Sequence, residues 1–347
     1  MTVADAAIAG IAIEPMLASD RAVYHEFLHA LPESLLYYSL PYRAFLEDLL
    51  GCRSTYWLAR RNGRIAGVLP IMERDGPWGR VLNSLPYFGS NGGALALDEK
   101  AAAALAGQFD RLAGAPGILA ATWVSHPLTP SAGPIVAHDL VDERISQFTS
   151  LAGGETAISQ RIDPSARRNI NKARASGVAV SVQNDAFDFL QEVHVANMAE
   201  IGGKPKEPDF FAKIPRHFRA DEDYRIYVAE RSGQPVAALL LFYFNRTVEY
   251  FTPVTRAEER NVQPMALILH QAMIDAAARG FAWWNWGGTW VGQTGVWRFK
   301  AKWGADERRY RYYVKLNDRG ILARSAQELA AAYPGFYVVP YAALEER

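Results

Sequence analysis

The sequence predicts a mixed α/β protein built from two tandem domains, each a central mixed sheet flanked by helices. Three observations predict it. The 347-residue chain exceeds what one ordinary hydrophobic core serves and suits two domains of common size. The stretch Trp57-Leu-Ala-Arg-Arg-Asn-Gly-Arg-Ile-Ala-Gly-Val-Leu69 aligns without a gap to Tyr227-Val-Ala-Glu-Arg-Ser-Gly-Gln-Pro-Val-Ala-Ala-Leu239, which marks a duplication. After each copy the same patterns follow in the same order: strand, helix, strand.

Each copy reads as strand, tight turn, strand. Asn62-Gly63 and Ser232-Gly233 supply the turns, because glycine reaches positive φ without steric cost and asparagine tolerates it. Arg80 to Leu85 and Val248 to Thr252 are the next strand-like runs. The helices are alanine-rich Glu99 to Leu112, and Pro264 to Arg279, which opens on proline and stops at Gly280. Apolar strands at Ile118 to Val124 and Phe281 to Trp286 complete the repeats. The expected division is residues 1–155 for the first domain and 156–347 for the second.

Composition narrows the function classes. Apolar residues make up 50% and charged residues 21%, which suits a soluble globular enzyme. Lysine plus arginine equals aspartate plus glutamate at 37 each, so no global field gathers nucleic acid or anionic membrane, and partners must be recognised locally. The single cysteine, Cys52, excludes an intramolecular disulfide and reads as a small buried apolar residue. Residues 1–19 lack a basic leader and no apolar run could span a bilayer, so a cytoplasmic protein without a membrane span is expected. The seven histidines are scattered apart from His25 and His29, whose His-Glu-x-x-His spacing stands alone, and no Gly-x-Ser-x-Gly elbow occurs, so neither a metal site nor a serine hydrolase is expected.

Two segments carry candidate chemistry. Asp163-Pro-Ser-Ala-Arg-Arg-Asn-Ile-Asn-Lys-Ala-Arg-Ala-Ser-Gly177 has a capping aspartate, a proline at the first helical position and a terminating glycine. On that helix Arg167, Arg168, Asn171, Lys172 and Arg174 form a basic stripe opposite Ala166, Ile170 and Ala173. It is either a solvated face or a surface that holds phosphate. The second segment, Trp283 to Gly304, carries six of the nine tryptophans. Val296 to Trp303 reads as a short helix in which Val296, Phe299 and Trp303 share a face with Lys300, while Arg298 and Lys302 point away. The Lys300 ammonium must snorkel to water, lose its proton or meet an anion.

The repeated mixed domains, the Arg-Arg-Asn-Ile-x-Lys-Ala-x-x-Ser-Gly-Val run at 167–178 and the Gly-Val-Trp-Arg-Phe-Lys-x-x-Trp-Gly run at 295–304 together resemble the FemAB-like family. Its members have two tandem domains of the GCN5-related N-acetyltransferase (GNAT) fold and join an acyl or aminoacyl group to an amine, commonly on a cell-envelope precursor. The resemblance implies an N-acyltransferase with no tightly bound cofactor, acyl-CoA as co-substrate, and a cell-envelope or polysaccharide amine as acceptor. It implies a first half shaped for the acceptor and a second for the donor, and it places Lys300 on the family's functional lysine. Asn285, Trp286, Gly287 and Gly288 fall where the cleft of this fold usually lies. With Trp290, Arg298, Arg167 and Arg168 they are candidates for donor and substrate binding. Tyr87, Ser90 and Asn91, in the glycine-rich run Pro86 to Gly93, are candidates in the first half.

One departure concerns the donor. The segment Arg260-Asn-Val-Gln-Pro-Met-Ala-Leu267 has no glycine, so a backbone cradle for pyrophosphate is not evident, and aminoacyl-tRNA stays open as an alternative donor. Amide formation needs a neutral amine and a positive group where the oxyanion develops. Lys300 suits the second task, and Glu249 and Asp306 are candidate bases. The rivals are a non-catalytic ligand-binding module and an RNA-binding protein that uses the basic helix.

Overall fold

The structure is a computed structural model that describes residues 10–86, 92–129 and 136–344. The chain forms two compact units, Met1–Arg144 with Arg309–Arg347, and Ile145–Arg308. This differs from a single division at 155. The second unit is inserted in the first, and the reason lies in strand pairing at the C-terminal end, described below.

The first unit contains β1 (Ile11–Pro15), α1 (Arg21–Ala30), α2 (Leu40–Leu50), β2 (Arg53–Arg61), β3 (Arg64–Gly76), β4 (Gly79–Asn83), β5 (Leu95–Ala96), α3 (Glu99–Ala113) and β6 (Ile118–Val124). β7 (Leu140–Ser150) carries the chain out of this unit. The β2–β3 hairpin turns through Asn62 and Gly63 at φ of 50° and 76°, the left-handed pair that the turn chemistry predicts. β4 lies parallel to β6, with Asn83 opposite Thr122 at the end of the ladder. Asp98 caps α3 by accepting from the amide of Ala101. The helix then buries Ala101, Leu105 and Phe109 against Leu69, Ile71, Leu82 and Trp123.

The second unit continues with α4 (Gly154–Arg161), α5 (Pro164–Ala175), β8 (Val178–Val182), α6 (Phe187–Glu200), α7 (Phe210–His217), β9 (Tyr224–Arg231), β10 (Gln234–Phe244), β11 (Thr247–Thr255), α8 (Pro264–Ala278), β12 (Trp283–Trp290) and α9 (Thr294–Ala301). Strands run in the order β8-β9-β10-β11-β12, antiparallel except for the β11–β12 pair. The hairpin repeats the first unit's turn, with Ser232 and Gly233 at 53° and 75°. Alternation along β10 sends Leu239, Leu241 and Tyr243 to the face covered by α5 and α8, and Phe242 to the other, where it meets Phe218 and Phe251.

β13 (Ala305–Leu316) returns the chain to the first unit. Its residues Tyr312 to Leu316 pair antiparallel with Val124 to Ala120 of β6. With α10 (Ala326–Ala332) and the residues after it, this segment buries Leu316, Leu329 and Tyr333 against Val81 and Ala120. The repeat alone could not reveal this return, because it lies outside both copies. Cys52 is partly exposed, with burial and Glu47 together pushing its thiol up to about 11.

Candidate active site

The site in the second unit begins where two strands part. β11 and β12 share three register pairs, Thr247 with Trp283, Val248 with Trp284 and Glu249 with Asn285, and then both strands run on. Gly287, at φ +71°, turns β12 aside, and the side chain of Asn285 fixes that turn by accepting from the Gly287 amide at 2.9 Å. Nδ2 of Asn285 donates to Oε2 of Glu249 at 2.8 Å, and Ser146 Oγ donates to Oδ1 of Asn285 at 3.4 Å. Glu249 is 1% exposed and Asn285 is fully buried, so a carboxylate and an amide close the ladder inside the protein.

Lys300 is the one buried residue of α9, at 4% exposure. Its Nζ donates to the Gly287 carbonyl at 3.2 Å, the Gly288 carbonyl at 3.3 Å and Thr289 Oγ1 at 2.7 Å. All three partners are uncharged oxygens, and burial pushes the ammonium down to about 8. The helical wheel holds only in part: Trp303 is buried with Lys300, and Arg298 and Lys302 face outward, but the rest of the apolar face is not inside. Val296, Trp297 and Phe299 are exposed and the lysine is inside. Amphipathic spacing assumes that the apolar face packs, whereas α9 is anchored through polar atoms: Gln147 Nε2 donates to the Trp297 carbonyl, and Lys300 holds the end of β12. The helix also starts and ends two residues earlier than predicted, although Gly304 is left-handed at +71°, as its place after the helix implied.

A family model described as an acetyltransferase (GNAT) domain matches residues 163–301. The crystal structure of FemX superposes with a TM-score of 0.66 at 13% identity, covering 86% of this chain and 96% of that one. The chain therefore shares the fold of FemX, with a GNAT domain at residues 163–301. The C-terminal domain of a putative lysylphosphatidylglycerol synthetase from Agrobacterium fabrum gives 0.56 at 15% identity, covering 93% of this chain and 99% of that one. A tandem GNAT protein from the clavulanic acid biosynthesis pathway gives 0.52 at 11%, covering 88% and 98%. At these identities the likeness is one of fold. Curated proteins give no sequence match.

Around the GNAT domain the remaining candidates separate. Trp286 is in the core, 2% exposed, with its indole N–H donating to Thr149 Oγ1 and its ring against Tyr250, Trp284 and Trp303. A covered ring offers no platform to a ligand. Trp290 and Gly288 are exposed. Asp306 is exposed at the start of β13, whereas Glu249 and Asn285 are buried. Tyr87, Ser90 and Asn91 lie outside the described residues.

The basic helix has the predicted form. Asp163 caps it, Ala166, Ile170 and Ala173 are buried, and Arg167, Arg168, Asn171, Lys172 and Arg174 are exposed. Arg167 and Arg298 come together in an open groove of about 530 Å³ that Arg161, Lys302 and Trp297 also line, with Asp163 as its acid. The groove is formed because the Asp163 amide donates to the Lys302 carbonyl, joining the end of α9 to the start of α5. α8 opens on Pro264 after left-handed Gln263, so its first position has no N–H to offer a phosphate.

Sequence reasoning missed Ser146, Thr289 and Lys206. Ser146 reaches Asn285 from far along the chain, and no local pattern signals such a pairing. Lys206 lies between α6 and α7 with its ammonium 5.5 Å from the Phe210 ring and 5.8 Å from that of Phe251, and burial pushes it down to about 8. Phenylalanines four and forty-five residues away in sequence give no periodicity with it.

Proposed function

We propose that the second unit transfers an acyl group from a thioester, acyl-coenzyme A, to an amine on a cell-envelope or polysaccharide precursor and forms an amide. The amine nitrogen attacks the thioester carbonyl, the carbon–sulfur bond breaks, and the thiol leaves while the amine loses a proton. The observation that carries this reading is the buried Lys300 cation, held by three neutral oxygens at the parting of β11 and β12 in a GNAT domain. With no carboxylate among its hydrogen-bond partners, its field is available to negative charge that develops nearby, and low-dielectric surroundings strengthen it. Glu249, oriented by Asn285, is the group we assign to the departing proton. Arg167 and Arg168 are assigned to the donor's phosphates.

Transfer from aminoacyl-tRNA is the second reading. It is favoured by the exposed cations along α5 and by the α8 start, which lacks glycine. Thermal unfolding and turnover with acetyl-CoA, longer acyl-CoAs and charged tRNA, each with an amino-sugar acceptor, distinguish the two. The first reading expects the melting temperature to rise with coenzyme A thioesters. Turnover with charged tRNA alone selects the second. A protein that turns over neither donor is a binding module, and the transferase reading fails.

A further inference from the structure

The end of β12 and α9 expose large apolar side chains to water. Trp290, Val291, Val296, Trp297 and Phe299 are between 37% and 50% exposed, within ten consecutive residues. Exposed apolar residues scattered singly need no explanation, but a run of this kind does. Trp297 has its indole N–H satisfied by Glu307 Oε2 at 3.0 Å, so the polar edge is held and the rest of the ring is presented. Arg298 and Lys302, both exposed, alternate with these residues and continue into the groove with Arg161 and Arg167. Asp163 is the groove's acid, and its carboxylate is engaged in capping α5, accepting from the Ser165 amide and hydroxyl.

We propose that this surface docks the protein on an anionic lipid bilayer, with the aromatic and valine side chains at the boundary between headgroups and acyl chains and Arg298 and Lys302 on lipid phosphates. Tryptophan, phenylalanine and aliphatic residues flanked by cations are the composition of an interfacial helix, and the cations supply local attraction that a chain of zero net charge lacks globally. Association is peripheral: among the described residues no helix is long and apolar enough to cross a membrane. Charge complementarity selects this occupant over two others. A second copy would bring like cations together across a two-fold axis. A nucleic acid would use the cations and rings but would leave Val291 and Val296 in water, since bases stack on aromatic faces. The proposal does not depend on the transferase reading.

Flotation of the full chain with vesicles of phosphatidylcholine mixed with phosphatidylglycerol, and with pure phosphatidylcholine, tests it. Wild type is expected to float with the anionic vesicles, less at high salt and weakly with the neutral ones. Val296→Ser with Trp297→Ser, and separately Arg298→Glu with Lys302→Glu, are each expected to lower the partition about tenfold. All four positions are exposed, so unfolding temperatures close to wild type will show that the loss is not one of folding. Quenching of tryptophan fluorescence by brominated lipid is the second readout and is expected to fall with Trp297→Ser. Absence of flotation, or flotation unchanged by the apolar pair, overturns the proposal. So does a dimer in solution that the same pair abolishes, or RNA binding lost in these variants with no vesicle binding.

Discussion

In both units a parallel ladder joins the strand after the hairpin to the strand after the long helix, and the two ladders end differently. In the first unit the last pair is Asn83 with Thr122. Asn83 engages backbone, donating to the Tyr337 carbonyl and accepting from the Tyr337 amide, both at 2.8 Å. Ser84 extends the closure: its hydroxyl accepts from the amides of Gly93 and Val124. In the second unit the last pair is Glu249 with Asn285, and beyond it stands Lys300 on the turned end of β12. One scaffold thus closes its ladder with its own main chain, while the other ends on buried ionisable groups. The two copies share this architecture, and the buried Glu249 and Lys300 lie in the copy that the acetyltransferase model matches.

The largest effect expected from this contrast is structural and falls in the first unit. A Cβ at Gly92 would stand 2.0 Å from the Ser84 carbonyl oxygen, which belongs to the backbone and cannot turn away. Gly92→Ala should therefore cost about 3 kcal/mol in urea unfolding. A cost near zero would mean that the closure is loose and that the contrast between the ladders is overstated.

Glu249→Gln comes next. It keeps the size and an oxygen for Asn285 but removes the proton acceptor, so turnover should fall about a hundredfold, roughly 2.7 kcal/mol, with donor affinity little changed. Steady-state rates alongside donor titration separate the two quantities. Undiminished turnover would remove Glu249 from the chemistry.

Lys300→Met should lower turnover about tenfold, on the order of 1.4 kcal/mol, with the fold retained. Stability offers an independent check of the same side chain. Burial lowers the folded ammonium from 10.5 to about 8, so between those values the unfolded chain binds more protons than the native one. The native state therefore gains stability as pH rises through that window. Below about 8 both states are protonated and the burial penalty is complete. Wild-type stability minus that of Lys300→Met should accordingly rise from about pH 8 toward about pH 10. A flat difference would show that the ammonium is not desolvated.

Much of this was legible in the sequence. The turn chemistry of Asn62-Gly63 and Ser232-Gly233, the capped basic helix and the two long helices depend on neighbouring residues, and such signals are readable locally. The orientation of α9 was legible only for Lys300, Trp303 and the outward Arg298 and Lys302; Val296 and Phe299 are exposed because the helix is held by Lys300 and Gln147 bonding to other segments. The return of β13 to β6 and the place of Ser146 beside Asn285 were not legible, because they require contacts between residues distant in sequence. Lys300 itself was found by its surroundings of tryptophan, yet its partners proved to be carbonyls and a hydroxyl in place of ring faces.

Gly287 has open space where its Cβ would go, in contrast to Gly92, and its constraint is the backbone angle of +71° alone. Gly287→Ala should cost about 1 kcal/mol from the left-handed strain of an L-residue. The Gly287 carbonyl is one of the three oxygens that hold Lys300, and the Gly287 amide donates to Asn285, so relief of that strain by a shift of the backbone would loosen both groups. Turnover should then drop about threefold, some 0.7 kcal/mol, and the double variant with Lys300→Met should lose less than the two singles combined, because contacting residues do not act independently. Full additivity in that cycle would mean that the lysine acts without help from the turn it holds, and Lys300 would then have to be understood as a point charge alone.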